Sequence, residues 1–476
     1  MDFAILTLRG GSRRRGAEGA QQKLRDRAPQ KPAYASDVRA RKARHHFSAT
    51  PLGCGIDFGT SNSAIAIAWP DRVQVVAVEP ATPTLPSIVY LHREGERRAG
   101  REAVDRFFTT GHLRTSCGQC SLAPYGVSEC LQFRRDGGCN DARLINGVKH
   151  DLAKPGFTGT NSWCTDFPVA ELVAVVIKRL KAAGERASGQ PLDRVVLGHP
   201  VAFAGARDPE AQAEGLARLR RAAELAGFQE VRFLPEPEAA LAAAPKRGVA
   251  LAVDFGGGTF DAAVLVEGRV TALRGTAIGG ERLDQLIFET RVGPELGLDA
   301  LPSWLFNEMR SLSGVGLLLA DPGVPFLLER FGGPAARTAR AILFEGHAHD
   351  FYRTIEGAKI ALSTQDSTVA EFHRPGIEMR VPLNRQFFEA SIRPELDAVE
   401  AVILEVLAAA GVEPGAVGTV ISTGGSSQIP AFQARLEALF GAARIEHRDA
   451  FTSVVEGLGE AARRLLPAPR RVDLGQ

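Results

Sequence analysis

Two short segments hold the residues whose types and spacing could do chemistry. Asp57-Phe58-Gly59-Thr60-Ser61-Asn62-Ser63-Ala64 recurs loosely, 197 residues later, as Asp254-Phe255-Gly256-Gly257-Gly258-Thr259-Phe260-Asp261. Each reads as an apolar strand ending in Asp-Phe-Gly, a turn of small or hydroxylated residues, and a second apolar strand. Such turns let backbone N–H groups approach an anion with no Cβ in the way, and Ser and Thr hydroxyls add donors. Two of them facing each other would grip a di- or triphosphate from both sides. Magnesium on a nucleotide keeps several waters and takes one or two carboxylates, a need that Asp57 and Asp254 fit, with Asp261 as a third acid nearby. One glycine-rich turn alone reads as an ordinary hairpin; two copies, each behind Asp-Phe-Gly, favour a phosphate cradle. Asp-Phe-Gly also occurs in protein kinases, but no His-Arg-Asp loop and no strand lysine behind a glycine-rich loop accompany it in the required order.

Three further groups are candidates of lower specificity. Glu236 lies between Pro235 and Pro237 at a strand-to-helix turn. Pro237 pushes it toward extended backbone and starts the helix, so its carboxylate is rigidly placed to orient water; the bland alternative is a glutamate favoured by the helix dipole. Gly424-Gly425-Ser426-Ser427 follows a buried strand and opens a helix, suiting close approach to a ribose, an α-phosphate or a base. Glu356, Lys359 and Ser363 share one helix face at i, i+3 and i+7, which by itself reads as a solvated charged face.

These residues need a scaffold, and the pattern is α/β: strand-length apolar runs alternate with amphipathic segments. Strands are expected at Gly55–Phe58, Ala64–Ala68, Val73–Val78, Val195–Leu197, Val231–Leu234, Val249–Phe255, Phe260–Val266 and Val417–Ser422. Val169, Leu172, Val173, Val176, Ile177 and Leu180 form one helical stripe, with Asp166 as its cap and Pro168 in its first turn. Long helices are expected over about 335–363 and 384–411. Residues 109–165 read as an irregular inserted loop. The echo of the two Asp-Phe-Gly segments predicts two related lobes, each lending one hairpin turn to a shared cleft.

Composition sets the outer bounds. The 476 residues are 45% hydrophobic and 24% charged, an ordinary globular balance, and no apolar run reaches bilayer length. Residues 1–52 carry 12 Lys and Arg against 4 Asp and Glu, a net of +8 that leaves −6 for the rest, within a total of +2. That arm, with Arg13-Arg14-Arg15, reads as a disordered extension; a targeting peptide or an arm for anionic surfaces is the sharper alternative. Phe3–Leu8 is too short for a secretory leader, so a cytoplasmic location is expected, without membrane or nucleic-acid partners. Cys117-x-x-Cys120 has zinc-knuckle spacing, but Cys130 and Cys139 are nine apart, so reduced thiols are expected over a zinc site. Cys54 is expected in the core.

In this order, the segments resemble the ATPase domain of the seventy-kilodalton heat-shock chaperones (DnaK-like), within the actin-like ATPase superfamily. The divergent YegD-like branch fits best. The resemblance spans about residues 53–466. It is carried by the two Asp-Phe-Gly segments, Gly198-His199-Pro200-Val201-Ala202-Phe203, Glu236-Pro237-Glu238-Ala239-Ala240 and Ser422-Thr423-Gly424-Gly425-Ser426-Ser427-Gln428-Ile429-Pro430.

The resemblance implies an α/β, actin-like fold of two ribonuclease H-like lobes around a nucleotide cleft. The arm would occupy 1–52, lobe I 53–249 with a cysteine-rich insertion at about 109–146, lobe II 250–446, and a return segment 447–476 would pack on lobe I. It also implies a magnesium-dependent, slow ATPase. Asp57 and Asp254 would hold the metal through waters, Glu236 would place the attacking water beside Asp261, and Lys149 would reach the γ-phosphate. Gly59, Thr60, Ser61, Asn62, Gly256, Gly257, Gly258, Thr259, Gly279 and Gly280 would surround the phosphates. Glu356, Lys359, Ser363, Gly424, Gly425 and Ser426 would hold the adenosine. ATP or ADP, and a co-chaperone or client protein, would be the partners, and no peptide-binding domain is expected. Ile360 and Gln428 stand where the family pattern has arginines, and losing those stacked cations would weaken nucleotide binding by ~1 kcal/mol each. A small-molecule kinase on the same fold and a nucleotide-binding scaffold without turnover are the competing readings.

Overall fold

The computed structural model describes residues 50–80, 82–110, 114–115, 139–140, 142–163, 165–241, 247–321, 323–449 and 452–466. The basic arm through residue 49, together with Cys117, Cys120, Cys130 and Cys164, lies outside them.

Two sheets of matching topology carry the molecule. In the first, Gly53–Phe58 pairs antiparallel with Asn62–Ala68, which pairs with Val73–Val75. On its other edge Gly53–Phe58 runs parallel to Arg194–His199, and that strand runs parallel to Glu230–Pro235. In the second, Val249–Phe255 pairs antiparallel with Phe260–Val266, and that strand with Arg269–Thr276. Val249–Phe255 also runs parallel to Thr419–Thr423, which runs parallel to Ile445–His447. The order third, second, first, fourth, fifth is thus repeated, and the sequence echo is a structural duplication of the two-lobe, actin-like kind.

The central strands are buried on both faces, as continuous apolar runs such as Val-Ala-Leu-Ala-Val demand. Each sheet has its own core. The first packs Ile56, Ile65 and Leu197 against the helix Val169–Ser188; the second packs Val253, Phe260 and Val264 against helices of the second lobe. A third core joins the sheets, where Ala252, Ala263 and Ile421 meet Val196, Ala239 and Leu458. Leu458 belongs to the helix Ser453–Leu465, which packs on Gly53–Phe58, Asn62–Ala68 and Arg194–His199. Small residues permit this approach: a methyl group on Gly55 would stand 2.5 Å from the Leu458 carbonyl carbon.

Several local expectations change. Asp166 does not cap the helix Val169–Ser188; it sits in the hairpin strand Thr165–Pro168 opposite Asn161, and Pro168 takes the cap position. The long helix expected near 335–363 is two helices, Gly333–Phe344 and Ala348–Leu362, broken where Gly346 turns to φ 80°. The segment 384–411 divides likewise into Arg385–Ser391 and Arg393–Ala409, since Pro394 begins a new first turn. The stretch 109–165 is not wholly irregular. Ala142–Ile145, inside the expected insertion 109–146, pairs with Val89–His92, and Gly159–Ser162 forms a hairpin with Thr165–Pro168. The third strand stops at Val75. Cys54 is fully buried in the first core. No helix among the described residues is long and apolar enough to cross a membrane.

Candidate functional site

The two duplicated hairpins place their turns face to face. A methyl group added to Gly257 would stand 2.9 Å from Ser61 Oγ, and one added to Gly258 would stand 2.6 Å from Thr60 Oγ1. The first turn is fastened from behind: Ser87 Oγ donates to the Gly59 carbonyl at 2.7 Å and Ser87 N to the Ser61 carbonyl at 2.9 Å. Asn62 closes that turn, its carbonyl lying under Gly59. The second turn is fastened by the start of the helix Gly280–Ile287, whose Gly280 and Glu281 amides donate to the Gly256 and Gly257 carbonyls at 3.0 and 2.7 Å. Gly279 lies against this turn so closely that a methyl group there would stand 2.5 Å from the Gly257 oxygen.

Behind the turns is a buried, acid-rich chamber. Lys149 Nζ donates to Glu236 Oε1 at 2.7 Å, and both side chains are under a tenth exposed. Asp254 and Asp261 stand directly opposite each other across the second hairpin, where like charges repel. In the first hairpin the residue opposite Asp57 is Ala64. Burial, then the Glu236 charge, pushes the Asp57 carboxyl up to about 8 and Asp261 to about 8. The same causes lift Asp254 to about 6, with a hydrogen bond from Thr423 opposing them. Burial pulls the Lys149 amine down, but Glu236 and Asp57 outweigh it and hold the amine above its ordinary value. Thr259 Oγ1 and the Val201 amide donate to the two Asp261 oxygens, each at 2.8 Å. The Val201 bond is a tie from one lobe to the other.

Of the residues expected around the adenosine, Ser426, Lys359 and Gly424 lie against the second turn and the helix start beside it. Ser426 Oγ donates to the Gly256 carbonyl at 3.0 Å, and Lys359 Nζ to the Gly280 carbonyl and to Asp284 Oδ2, both at 2.8 Å. Burial raises the Asp284 carboxyl to about 7 against the pull of Lys359. Gly424 adopts φ 86°, and its face toward Asp254 and Phe255 leaves no room for a side chain, so glycine is required there. Gly425 faces open space. Glu356 pairs with Arg353 at 3.2 Å, while Ser363 caps the end of the helix Ala348–Leu362.

Four residues outside the expected set complete the cleft. His150 Nε2 lies 2.7 Å from Glu281 Oε2, and Asn146 Nδ2 donates to His349 Nδ1 at 2.9 Å. Both contacts join the segment Asn146–His150 of the first lobe to helices of the second. The only signal available for them in the sequence is adjacency: His150 follows Lys149 and Glu281 follows Gly279-Gly280.

As a seat for magnesium, Asp57 and Asp254 supply hard oxygen donors in a chamber whose acids exceed its lysine, which is the right chemistry for a divalent ion. Among the described residues no three His, Cys, Asp or Glu side chains are grouped to chelate an ion directly. Cys139 is the one residue of the expected zinc set among the described residues, at the start of the short strand Cys139–Asn140.

Comparison with known proteins agrees with this geometry. The model of the family described as Hsp70 protein matches residues 53–115, 148–293 and 348–454, which include both Asp-Phe-Gly turns, Lys149, Glu236 and the Gly424 segment. It passes over 116–147 and 294–347, the cysteine-rich stretch and a group of helices in the second lobe. Chaperone protein DnaK of Akkermansia muciniphila is 26% identical over 416 residues, 86% of this chain; the match spans 57% of the relative's length. With its family match running through both lobes, the chain belongs to the Hsp70 family.

Proposed function

We propose that the chain binds ATP between its lobes, hydrolyses it slowly, and passes the resulting change in lobe closure to a partner protein. The observation that carries this reading is the meeting of the two glycine turns, Gly257 on Ser61 and Gly258 on Thr60, over a buried Lys149–Glu236 pair. The turn amides and the Thr60, Ser61 and Thr259 hydroxyls would hold the terminal phosphates from both sides. Lys149 would offset charge at the γ-phosphate. Glu236, fixed by its salt bridge and by Pro237, would orient the attacking water, with Asp261 beside it. Asp57 and Asp254 would hold magnesium through waters, and the ion supplies positive charge to the phosphate oxygens. Catalysis would then be positioning plus charge neutralisation. Asp261 links this chemistry to motion, because its carboxylate accepts from Val201 of the opposite lobe.

The test is phosphate release from ATP by the full chain, with and without magnesium, alongside Asp254→Ala and Glu236→Ala. Turnover lost in both variants supports the reading; wild-type turnover in either variant overturns it. One observation favours a second reading, a nucleotide-binding scaffold without turnover. Ile360 is 59% exposed beside Lys359, at the place where the family pattern has a stacking arginine. Tight ATP binding with no phosphate release would support that alternative.

A further inference from the structure

The segment Asn146–His150 presents three side chains to the cleft. Lys149 belongs to the proposed chemistry, and the other two reach across to the second lobe. His150 is placed to do more than bridge. Its ring lies against the second turn at the point where that turn meets the first: a methyl group on Gly258 would stand 3.0 Å from His150 Nε2 and 2.6 Å from Thr60 Oγ1. Glu281, its partner at 2.7 Å, follows the two glycines that fasten the second turn, and its own amide donates to the Gly257 carbonyl at 2.7 Å. The imidazole therefore holds the second turn through the residue that anchors it.

We propose that His150 is a positioning residue whose protonated ring, paired with Glu281, holds the two phosphate turns together across the cleft, so that the cleft loosens when the ring loses its proton. The inference rests on the proposed nucleotide reading only for its consequence, since closure itself is a property of the chain without ligand. Lys154 and Arg207 line the same depression as the ring and add positive charge on that side. From its own helix come Lys149, which opposes protonation, and Asp151, which favours it; from the second lobe comes Glu281, itself near Lys359. Burial works against the charged ring, but Glu281 outweighs it and the imidazole is held above its ordinary value. Protons have a route. His150, Asp151, Lys154, Pro155, Gly205 and Arg207 line a depression of about 290 Å³ on the outer side of the ring. The second tie, Asn146 to His349, does not titrate in the same window, because burial holds His349 below the ordinary histidine range.

The sign follows from linkage. A ring that gains a partner on closure binds its proton more tightly in the closed state, so closure is favoured below the ordinary histidine value and is lost as pH rises through the closed-state value. The experiment is amide hydrogen exchange of the two turns, residues 59–62 and 256–259, in the nucleotide-free full chain at about pH 6 and about pH 8, corrected for intrinsic exchange. Release of a fluorescent ADP is measured in parallel. Wild-type turns are expected to lose protection and to release ADP several-fold faster at the higher pH. His150→Arg should stay protected at both values, and His150→Gln and Glu281→Gln should exchange fast at both. A wild type with no pH response, or His150→Gln with the wild-type response, overturns the proposal. Absence of ATP turnover alone would sink the hydrolytic reading and leave the exchange result standing.

Discussion

Lys149→Met isolates the energetics of the cleft from its chemistry. The amine lies 2.7 Å from Glu236 Oε1, with the two side chains 9% and 7% exposed. Removing one partner of a buried pair costs about 3–5 kcal/mol, because the other charge is left without compensation. Urea unfolding at about pH 7 reads the loss. Adding Glu236→Gln removes the stranded charge, and the double variant should recover more than half of the loss, a coupling of about 2 kcal/mol. A single-variant loss under about 0.5 kcal/mol would refute the reasoning, as would additive single and double variants.

Further consequences are equally direct. Gly279→Ala forces a methyl group to 2.5 Å from the Gly257 carbonyl oxygen, a backbone atom that cannot step aside, whereas Gly425→Ala meets open space. The first should weaken ATP binding by tenfold or more in a calorimetric titration, and the second should leave it within twofold. Leu458→Ala empties a fully buried position in the core that joins the lobes. It should cost about 2–5 kcal/mol of unfolding free energy, read by denaturant titration. Ile360→Arg returns a cation to the exposed face beside Lys359, and by cation–π stacking on the base should tighten ATP binding by about 1 kcal/mol, roughly fivefold.

The parts of this molecule legible in its sequence are those fixed by short-range pattern. Val249–Phe255 and Phe260–Val266 appear with their expected bounds because an apolar run, a glycine turn and another apolar run leave one local solution. The duplication was legible because Asp-Phe-Gly marks the same topological point in each sheet. The breaks at Gly346 and Pro394 leave no mark in the pattern because apolar periodicity continues on either side of them, and only backbone geometry separates the helices. Asp166 is a good capping residue by type, yet the hairpin with Gly159–Ser162 claims its backbone first. Within the site, Glu236 and Lys149 were visible as residues but not as a pair, and Val201 contributes through its amide, which no side-chain pattern announces. His150, Glu281, Asn146 and His349 meet only because two lobes close, and nothing local to either segment encodes that distance.

The cleft is also where the chain departs from the rules that stabilise it elsewhere. Asp254 faces Asp261 across one hairpin, and Asp57 and Asp261 are driven up to about 8 by burial and by Glu236. Acids raised in the folded state bind protons that the unfolded chain has released, so above the ordinary carboxylate range they reduce stability as pH rises. A core built for stability alone would not carry them. Their positions are held because the hairpins sit inside sheets buried on both faces, and because Val201, Thr259 and Lys149 each satisfy one oxygen of the cluster. A ligand that brought positive charge between these acids, and accepted from the turn amides in front of them, would relieve the penalty they impose on the fold. Binding energy of that kind would reach lobe closure through Asp261, which its strand holds in the second lobe and the Val201 amide ties to the first.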